Sequence, residues 1–311
     1  MAAYFITGVA GFIGSSIANH LLQKGEAVYG MDNFETGSPR RLNPLRRYDN
    51  FEFVEGDLRS IDDVQAALGD ANYVLHQGAV PSVPRSVNDP VLSTEVNCTG
   101  TANLIAAANE SDIDKIVVAS SSSVYGPTDI SPKHEDLPPN PVSPYALSKY
   151  YTEQLAVQAS EYYDIDSIAL RYFNIFGPRQ DPNGDYAAVV PKFINMMLND
   201  DRPPIYGDGT QSRDFTFISN AIQANLKAIE SDTTGEVLNV GCGDSITINN
   251  LVKELKDVLN TDIEPRYTEP RPGDVPHSKA DITKAKELID YDPNVKFREG
   301  LELTVDWYRN Q

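Results

Sequence analysis

Thr7-Gly8-Val9-Ala10-Gly11-Phe12-Ile13-Gly14 stands between an apolar tetrad, Tyr4-Phe5-Ile6-Thr7, and an amphipathic run from Phe12 to Lys24 that Gly25 ends. The tetrad reads as a buried strand and the run as a helix, so the glycines sit in a strand-to-helix turn. Gly8, Gly11 and Gly14 permit a tight turn, close approach of backbone to a pyrophosphate, and close helix–strand packing. The helix N-terminus then offers unpaired N–H groups and the positive end of its dipole to a phosphate. Glycines also serve ordinary turns; the strand before and the helix after are what point to a dinucleotide.

Working outward, Ala27-Val28-Tyr29-Gly30-Met31 is a second strand, closed by Asp32, which lies 18 residues after Gly14. A carboxylate there accepts hydrogen bonds from ribose hydroxyls and repels a 2′-phosphate, which favours NAD over NADP. Asp32-Asn33 is also an ordinary turn pair, and Arg40 and Arg41 lie close by in the chain. Asp57-Leu58 follows a third strand, Phe51-Glu52-Phe53-Val54, where an adenine edge would lie; a helix cap is the alternative use of that Asp.

Three further strands follow: Tyr73 to His76, Lys115 to Ala119, and Ser167 to Arg171. Helical patterns run from Leu92 to Glu110 and from Tyr145 to about Tyr163. Strands alternating with helices predict an α/β fold, a Rossmann-like, doubly wound parallel sheet covered on both faces. After Asn174 the texture changes to shorter elements and Gly/Pro-rich loops, as in Gly177-Pro178 through Gly184, Pro203-Pro204 and Pro270-Arg271-Pro272-Gly273. The expected division is an NAD-binding domain over 1–174 and a smaller α/β substrate domain over 175–311. The strong strand Val237-Leu238-Asn239-Val240 could return to the first domain, which would interleave the two around 215–245.

Composition narrows the function. With 41% hydrophobic residues in 311, a disordered chain is excluded, and no apolar run of about 18 residues offers a membrane span. The start, Met1-Ala2-Ala3-Tyr4, has no positive region of the kind that opens a signal peptide. The net charge of −19 is spread along the chain: 22 acids and 11 bases up to Asn174, 23 and 15 beyond it. Such a field disfavours nucleic acid as a partner. It fits either a solvated acidic surface or a halophilic host. Two cysteines, Cys98 and Cys242, form no framework and no CxxC pair, which suits a reducing cytoplasm. The four histidines lack metal-ligand spacing, so no metal is expected.

Ser120-Ser121-Ser122-Ser123-Val124-Tyr125-Gly126 follows the fifth strand, and a polar run there borders the ligand crevice of such a sheet. Tyr145 and Lys149 follow, four residues apart on one helical face. A phenol titrating near pH 10 is a poor base at neutral pH. A nearby ammonium, and the positive charge of an oxidised nicotinamide, favour the phenolate and so suit proton exchange with a sugar hydroxyl.

These segments resemble the extended short-chain dehydrogenase/reductase family over essentially the whole chain, and within it the NAD-dependent nucleotide-sugar 4-epimerases. The likeness extends to His76-Gln77-Gly78-Ala79-Val80-Pro81-Ser82-Val83-Pro84-Arg85-Ser86, to Leu170 through Gly177, to Gly207 through Phe215, and to Gly273 through Asp281. The resemblance implies tightly bound NAD and a UDP-sugar substrate, UDP-N-acetylglucosamine above UDP-glucose or UDP-glucuronate. It also implies a homodimer built through the helices at Leu92–Glu110 and Tyr145–Tyr163.

Roles follow by position. Gly8, Gly11, Phe12, Ile13 and Gly14 would hold the pyrophosphate; Asp32, Asn33, Thr36 and Gly37 the adenosine ribose; Asp57 and Leu58 the adenine. Gln77, Gly78 and Ala79, with Asn97 nearby, would line the NAD channel, and Tyr172 would pack near the nicotinamide. Tyr145 would be the base and Lys149 its partner, bound also to the nicotinamide ribose. The family register sets the catalytic serine at Ser121, with Ser122 and Ser123 adjoining and Ser123 also within reach of substrate. Asn174, Val190, Arg213, Arg271 and Asp274 match UDP-binding positions, each Arg being suited to a bidentate grip on pyrophosphate or to a surface ion pair.

Two departures bear on chemistry. Related dehydratases and decarboxylases carry carboxyl groups where this chain has Ser122 and Ser123, which disfavours dehydration and decarboxylation. The position gating the sugar pocket, a Tyr in glucose/galactose-restricted epimerases, is Ser278, whose small side chain would admit a 2-acetamido group. A uronate substrate would call for Arg85 or Arg179 in the pocket. A non-catalytic NAD-binding regulator would lack the Tyr145–Lys149 pair.

Overall fold

The computed structural model describes residues 2–183, 187–270 and 275–311. Its strands are β1 Ala3–Thr7, β2 Ala27–Asp32, β3 Phe51–Glu55, β4 Tyr73–His76, β5 Lys115–Ser121, β6 Asp166–Tyr172, β7 Ile175–Phe176, β8 Pro204–Tyr206, β9 Ser212–Arg213, β10 Thr216–Phe217, β11 Glu236–Val240, β12 Ile246–Thr247 and β13 Arg266–Thr268. Its α-helices are α1 Phe12–Gln23, α2 Ile61–Leu68, α3 Val83–Asn88, α4 Pro90–Thr94, α5 Gly100–Asn109, α6 Pro144–Tyr162, α7 Val189–Leu198, α8 Ile218–Glu230, α9 Ile248–Leu259, α10 Thr283–Ile289 and α11 Phe297–Arg309.

Seven strands form one parallel sheet in the order β11-β6-β5-β4-β1-β2-β3. The apolar runs are nearly continuous because both faces are buried. Ile6, Leu75, Val117, Ile168 and Leu238 join one core with α1 and α8, while Phe5, Val74, Ile116, Val118 and Ala169 join the opposite core with α2, α5 and α6. This is the Rossmann-like fold expected from the strand–helix alternation. The chain runs outward from β1 to β3 and then crosses back to β4, so the strand order reverses between β1 and β4. Ligands of open α/β sheets bind at such a reversal, beyond the carboxyl ends of the strands.

Beyond β6 the chain builds a third apolar core, with Phe176, Phe193, Ile205, Phe215, Phe217, Leu251 and Leu301. It then returns: β11 pairs with β6 in parallel, Val237 opposite Ala169, and α8 packs on α1. The helix expected over Leu92–Glu110 is interrupted. A π-helical turn, Glu95–Thr99, separates α4 from α5. The wide turn presents the Asn97 carbonyl to two hydroxyls, Thr101 Oγ1 at 2.6 Å and Thr152 Oγ1 at 3.2 Å. Hydroxyls on two helices thus replace a regular backbone pairing, a competition that apolar periodicity does not reveal. Among the described residues no helix is long and apolar enough to cross a membrane.

Candidate active site

A cleft of about 390 Å³ opens at the reversal point, lined by Gly8, Met31, Asp32, Asn33, Thr36, Asp57, Leu58, Gly78 and Ala79 among others. Every lining residue from the first four strands lies at a strand's carboxyl end. Gly8 has φ +68°, and a Cβ there would lie 2.7 Å from the Cα of Gly78. A Cβ on Gly14 would lie 2.3 Å from the Gly8 carbonyl oxygen. The first and third glycines therefore let two loops and the helix touch backbone to backbone. No side chain caps α1, whose N-cap is Gly11. Phe12 and Ile13 turn away from the cleft to pack on the third core.

Asp32 is 8% exposed. Its carboxylate accepts from Ala10 N–H at 2.9 Å and from Phe34 N–H at 2.8 Å. A Cβ on Gly37 would press against it at 2.7 Å. Burial raises its pKa against the pull of those amides. Asp57 accepts from both Arg59 and Asn33, and the Arg59 hydrogen bonds hold its carboxyl down at about 2. Arg41 donates to the carbonyls of Ala10 and Arg179, so it braces the glycine loop from outside.

A buried hydrogen-bond chain, unseen from sequence, ties this cleft to the helices. Gly78 N–H donates to Thr7 Oγ1 at 3.0 Å, and Thr7 Oγ1 meets His76 Nδ1 at 2.7 Å. His76 Nε2 meets Thr101 Oγ1 at 3.0 Å, and Thr101 donates to the Asn97 carbonyl. Thr101 has one proton and it is committed, so His76 carries its hydrogen on Nε2 and accepts at Nδ1 from Thr7. Burial lowers the His76 pKa to about 3, which keeps it neutral. Asn97 does not line the cleft; its side chain clamps Val80 at 2.7 and 3.2 Å and donates to Ser148 Oγ at 2.9 Å. Gln77 likewise faces inward, accepting from Tyr172 Oη at 3.2 Å and donating to Asn225 at 3.1 Å. Tyr172 is 8% exposed and also accepts from Asn225 at 2.7 Å.

Ser148 adjoins the triad expected from sequence. Ser143 caps α6, and Tyr145 and Lys149 follow on one face of that helix. Ser121 Oγ accepts from both the N–H (3.2 Å) and the hydroxyl (2.9 Å) of Ser123, and Ser121 lies close enough to half-buried Tyr145 to favour its phenolate. Ser121 pulls the Tyr145 pKa down while burial, the larger effect, raises it. The expected help from the Lys149 ammonium is not made in this arrangement. Lys149 Nζ donates instead to the Ala119 carbonyl at 2.8 Å, and burial lowers its pKa to about 8. One turn further, Glu153 is fully buried; Ser120 and Arg171 both donate to its carboxylate, Arg171 at 2.9 and 2.6 Å.

A second cavity, of about 710 Å³, lies in the C-terminal half. Asn174 and Arg213 line it, as do Val189, Lys192, Phe193, Tyr206 and Gln211, which the sequence reading did not single out. Tyr206 directly precedes the quoted Gly207–Phe215 stretch, Gln211 lies within it, and Lys192 lies on the polar side of α7, so the signal was present. Val190 is buried in the third core at 1% exposure, leaving its neighbour Val189 on the wall. Arg213 donates to the carbonyls of Ser212 and Pro276, and buried Ser278 is held to the same strand through Ser212. Arg271 and Asp274 lie outside the described residues.

A model of the family described as the NAD dependent epimerase/dehydratase family matches residues 4–241. A putative UDP-glucose 4-epimerase of Methanocaldococcus jannaschii is 38% identical over 307 residues, covering 98% of each chain. A UDP-N-acetylglucosamine 4-epimerase from Methanobrevibacter ruminantium, solved with UDP-N-acetylmuramic acid, is 41% identical with a TM-score of 0.95, covering 100% of this chain and 99% of that one. A Thermus thermophilus UDP-glucose 4-epimerase solved with NAD is 34% identical with a TM-score of 0.89, covering 99% of each. By this family match and these identities, the chain belongs to the NAD dependent epimerase/dehydratase family.

Proposed function

We propose that this enzyme interconverts the C4 epimers of a UDP-hexose, with UDP-N-acetylglucosamine and UDP-N-acetylgalactosamine its preferred pair and NAD its resident cofactor. The observation that carries the reading is the buried bond from Lys149 Nζ to the Ala119 carbonyl, which sets the helix carrying Tyr145 and Lys149 against the strand end carrying Ser121, on the sheet that holds the reversal-point cleft. The cleft fits NAD: its glycines leave no room for side chains, and the Asp32 carboxylate stands at the ribose end.

When bound, NAD supplies a reversible acceptor for the hydrogen on C4. Tyr145 takes the 4-hydroxyl proton, leaving a 4-keto sugar, and returns it once the opposite face is presented. Ser121 has both lone-pair directions occupied by Ser123, so its proton is aimed at Tyr145 and steadies the phenolate. General acid–base action of this kind contributes about 10²–10⁴-fold. Asn174, Arg213 and the cavity around them grip UDP, which leaves the hexose free to turn.

Ser278 supports the acetamido sugar, since a small residue at the gating position leaves room. Arg85 pairs with Glu35 and Arg179 donates to Ser16, so both are engaged on the dinucleotide side, which weakens a uronate reading. Ser122 and Ser123 supply no carboxyl group for dehydration or decarboxylation. We further read the chain as two interleaved parts, 1–174 for NAD and 175–311 for the nucleotide sugar. It would work as a cytoplasmic homodimer, and its charge of −19 suits a high-salt interior. Purified protein without added NAD should convert UDP-N-acetylglucosamine to its C4 epimer, seen by NMR, in low or high salt. Conversion of UDP-glucose or UDP-glucuronate alone would overturn the Ser278 argument. No epimer from any of the three, even with NAD supplied, would overturn the epimerase reading.

A further inference from the structure

Three elements of the nucleotide-sugar site come from distant parts of the chain: Asn174 after β6, Arg213 on β9, and the segment around Ser278. All three meet on Asp214, which is fully buried. Asp214 Oδ1 accepts from Cys242 N–H at 2.8 Å, and Oδ2 accepts from Gly243 N–H and Ala280 N–H, both at 3.1 Å. Its backbone carbonyl accepts from Asn174 Nδ2 at 3.3 Å. Two residues earlier, Ser212 N–H donates to the Pro276 carbonyl at 2.9 Å and its carbonyl accepts from Ser278 N–H at 3.0 Å. A Cβ on Gly241 would lie 2.8 Å from Asp214 Oδ2 and 2.6 Å from Ala280 Cβ, so the turn after β11 is packed tightly onto this carboxylate.

A buried carboxylate without a bonded cation is retained against its desolvation cost. Here both oxygens act only as acceptors, for three backbone N–H groups on two separate segments. An amide could not do this, because its NH₂ would face N–H donors on one side. Burial raises the Asp214 pKa to about 6 against the pull of these amides.

We propose that Asp214 is a positioning residue for nucleotide-sugar binding: through its carboxylate and carbonyl it sets Arg213, Asn174 and the Ser278 segment at fixed separations. This rests on the reading of the second cavity as the UDP site. Asp214 does not line that cavity; it acts through Asn174 and Arg213, which do, and through the Ser278 segment bonded to Ser212.

The test is UDP titration of the holoenzyme, with steady-state kinetics and a count of bound NAD. Asp214→Asn should weaken UDP binding and raise KM by about tenfold or more, the equivalent of 1.4 kcal/mol. It should leave kcat within about threefold and NAD content unchanged, a split that general loss of structure would not give. A folded Asp214→Asn that binds UDP within twofold of wild type overturns the proposal. So does a fall in kcat or NAD content with KM unchanged. Hydrogen exchange on the wild-type holoenzyme decides independently of any variant. Added UDP should slow exchange at Cys242, Gly243 and Ala280, and unchanged exchange there contradicts the proposal. If the wild type itself binds no UDP, the site reading fails, an outcome distinct from wild type and variant binding alike.

Discussion

Lys149 Nζ donates to the carbonyl oxygen of Ala119 at 2.8 Å, a buried bond that pins the middle of α6 to the carboxyl end of β5. The ammonium is thereby held between the strand that delivers Ser121 and the helix that delivers Tyr145. Replacing it with the apolar Lys149→Met removes both the bond and the charge. Turnover should fall by about 10²-fold or more, since the strand end and the helix that carry the acid–base groups Ser121 and Tyr145 lose their tie. Retention of more than a tenth of wild-type kcat in a folded Lys149→Met would contradict the assignment.

Glu153 and Arg171 form a buried ion pair directly behind that triad, with Ser120 completing the carboxylate's partners. Breaking one side of such a pair leaves an uncompensated charge and typically costs about 3–5 kcal/mol. Glu153→Gln should therefore lower the unfolding free energy by roughly that amount in denaturant titration. A change below about 1 kcal/mol would mean that the Tyr125 ring, 4.6 Å from the Arg171 guanidinium, satisfies the cation without Glu153.

His76 supplies a pH dependence. Its pKa falls from 6.5 in the unfolded chain to about 3 in the fold, so only the unfolded chain takes up a proton between those values. Its contribution is fully present above about pH 6.5 and is lost as pH falls towards 3, on the order of 5 kcal/mol in all. Asp214, with its raised pKa, works in the opposite sense between its ordinary value and about 6. The comparison that isolates His76 is wild type minus His76→Gln, since Asp214 is common to both. The stability difference should shrink as pH drops from 6.5 to 4.5. A difference independent of pH would show that His76 is not buried neutral.

Leu147 and Tyr151 lie four residues apart on the outer face of α6 and are 58% and 44% exposed; Val87 and Val91, on the neighbouring α3 and α4, are 60% and 63% exposed. A second copy covering this apolar face would account for it. Sedimentation should give twice the 34.3 kDa chain mass for wild type and the single mass for Leu147→Glu. A monomeric wild type at micromolar concentration would remove the dimer from the account.

The fold was legible because each main strand is an apolar run whose alternate residues enter two cores, as Phe5 and Ile6 do. The return of β11 was legible only as a lone strand, since pairing partners are not written in periodicity. At the site, Tyr145, Lys149 and the glycines stood out because their spacing is the chemistry. Asn97 and Gln77 were read as lining residues, yet both are clamps: a side chain's direction depends on partners such as Val80 and Asn225 that lie 17 and 148 positions away. The roles of Thr7, His76 and Asp214 were silent for the same reason, each joining groups from distant segments.

The central claim is that hydrogen leaves C4 and returns to the same carbon on the opposite face, with only the hydroxyl proton passing through Tyr145. The most direct measurement gives the purified enzyme, with no NAD added, UDP-N-acetylglucosamine deuterated at C4 in ordinary water and follows the product by NMR. The account predicts an epimer that keeps its deuterium at C4. An epimer carrying hydrogen from water at C4 would contradict it.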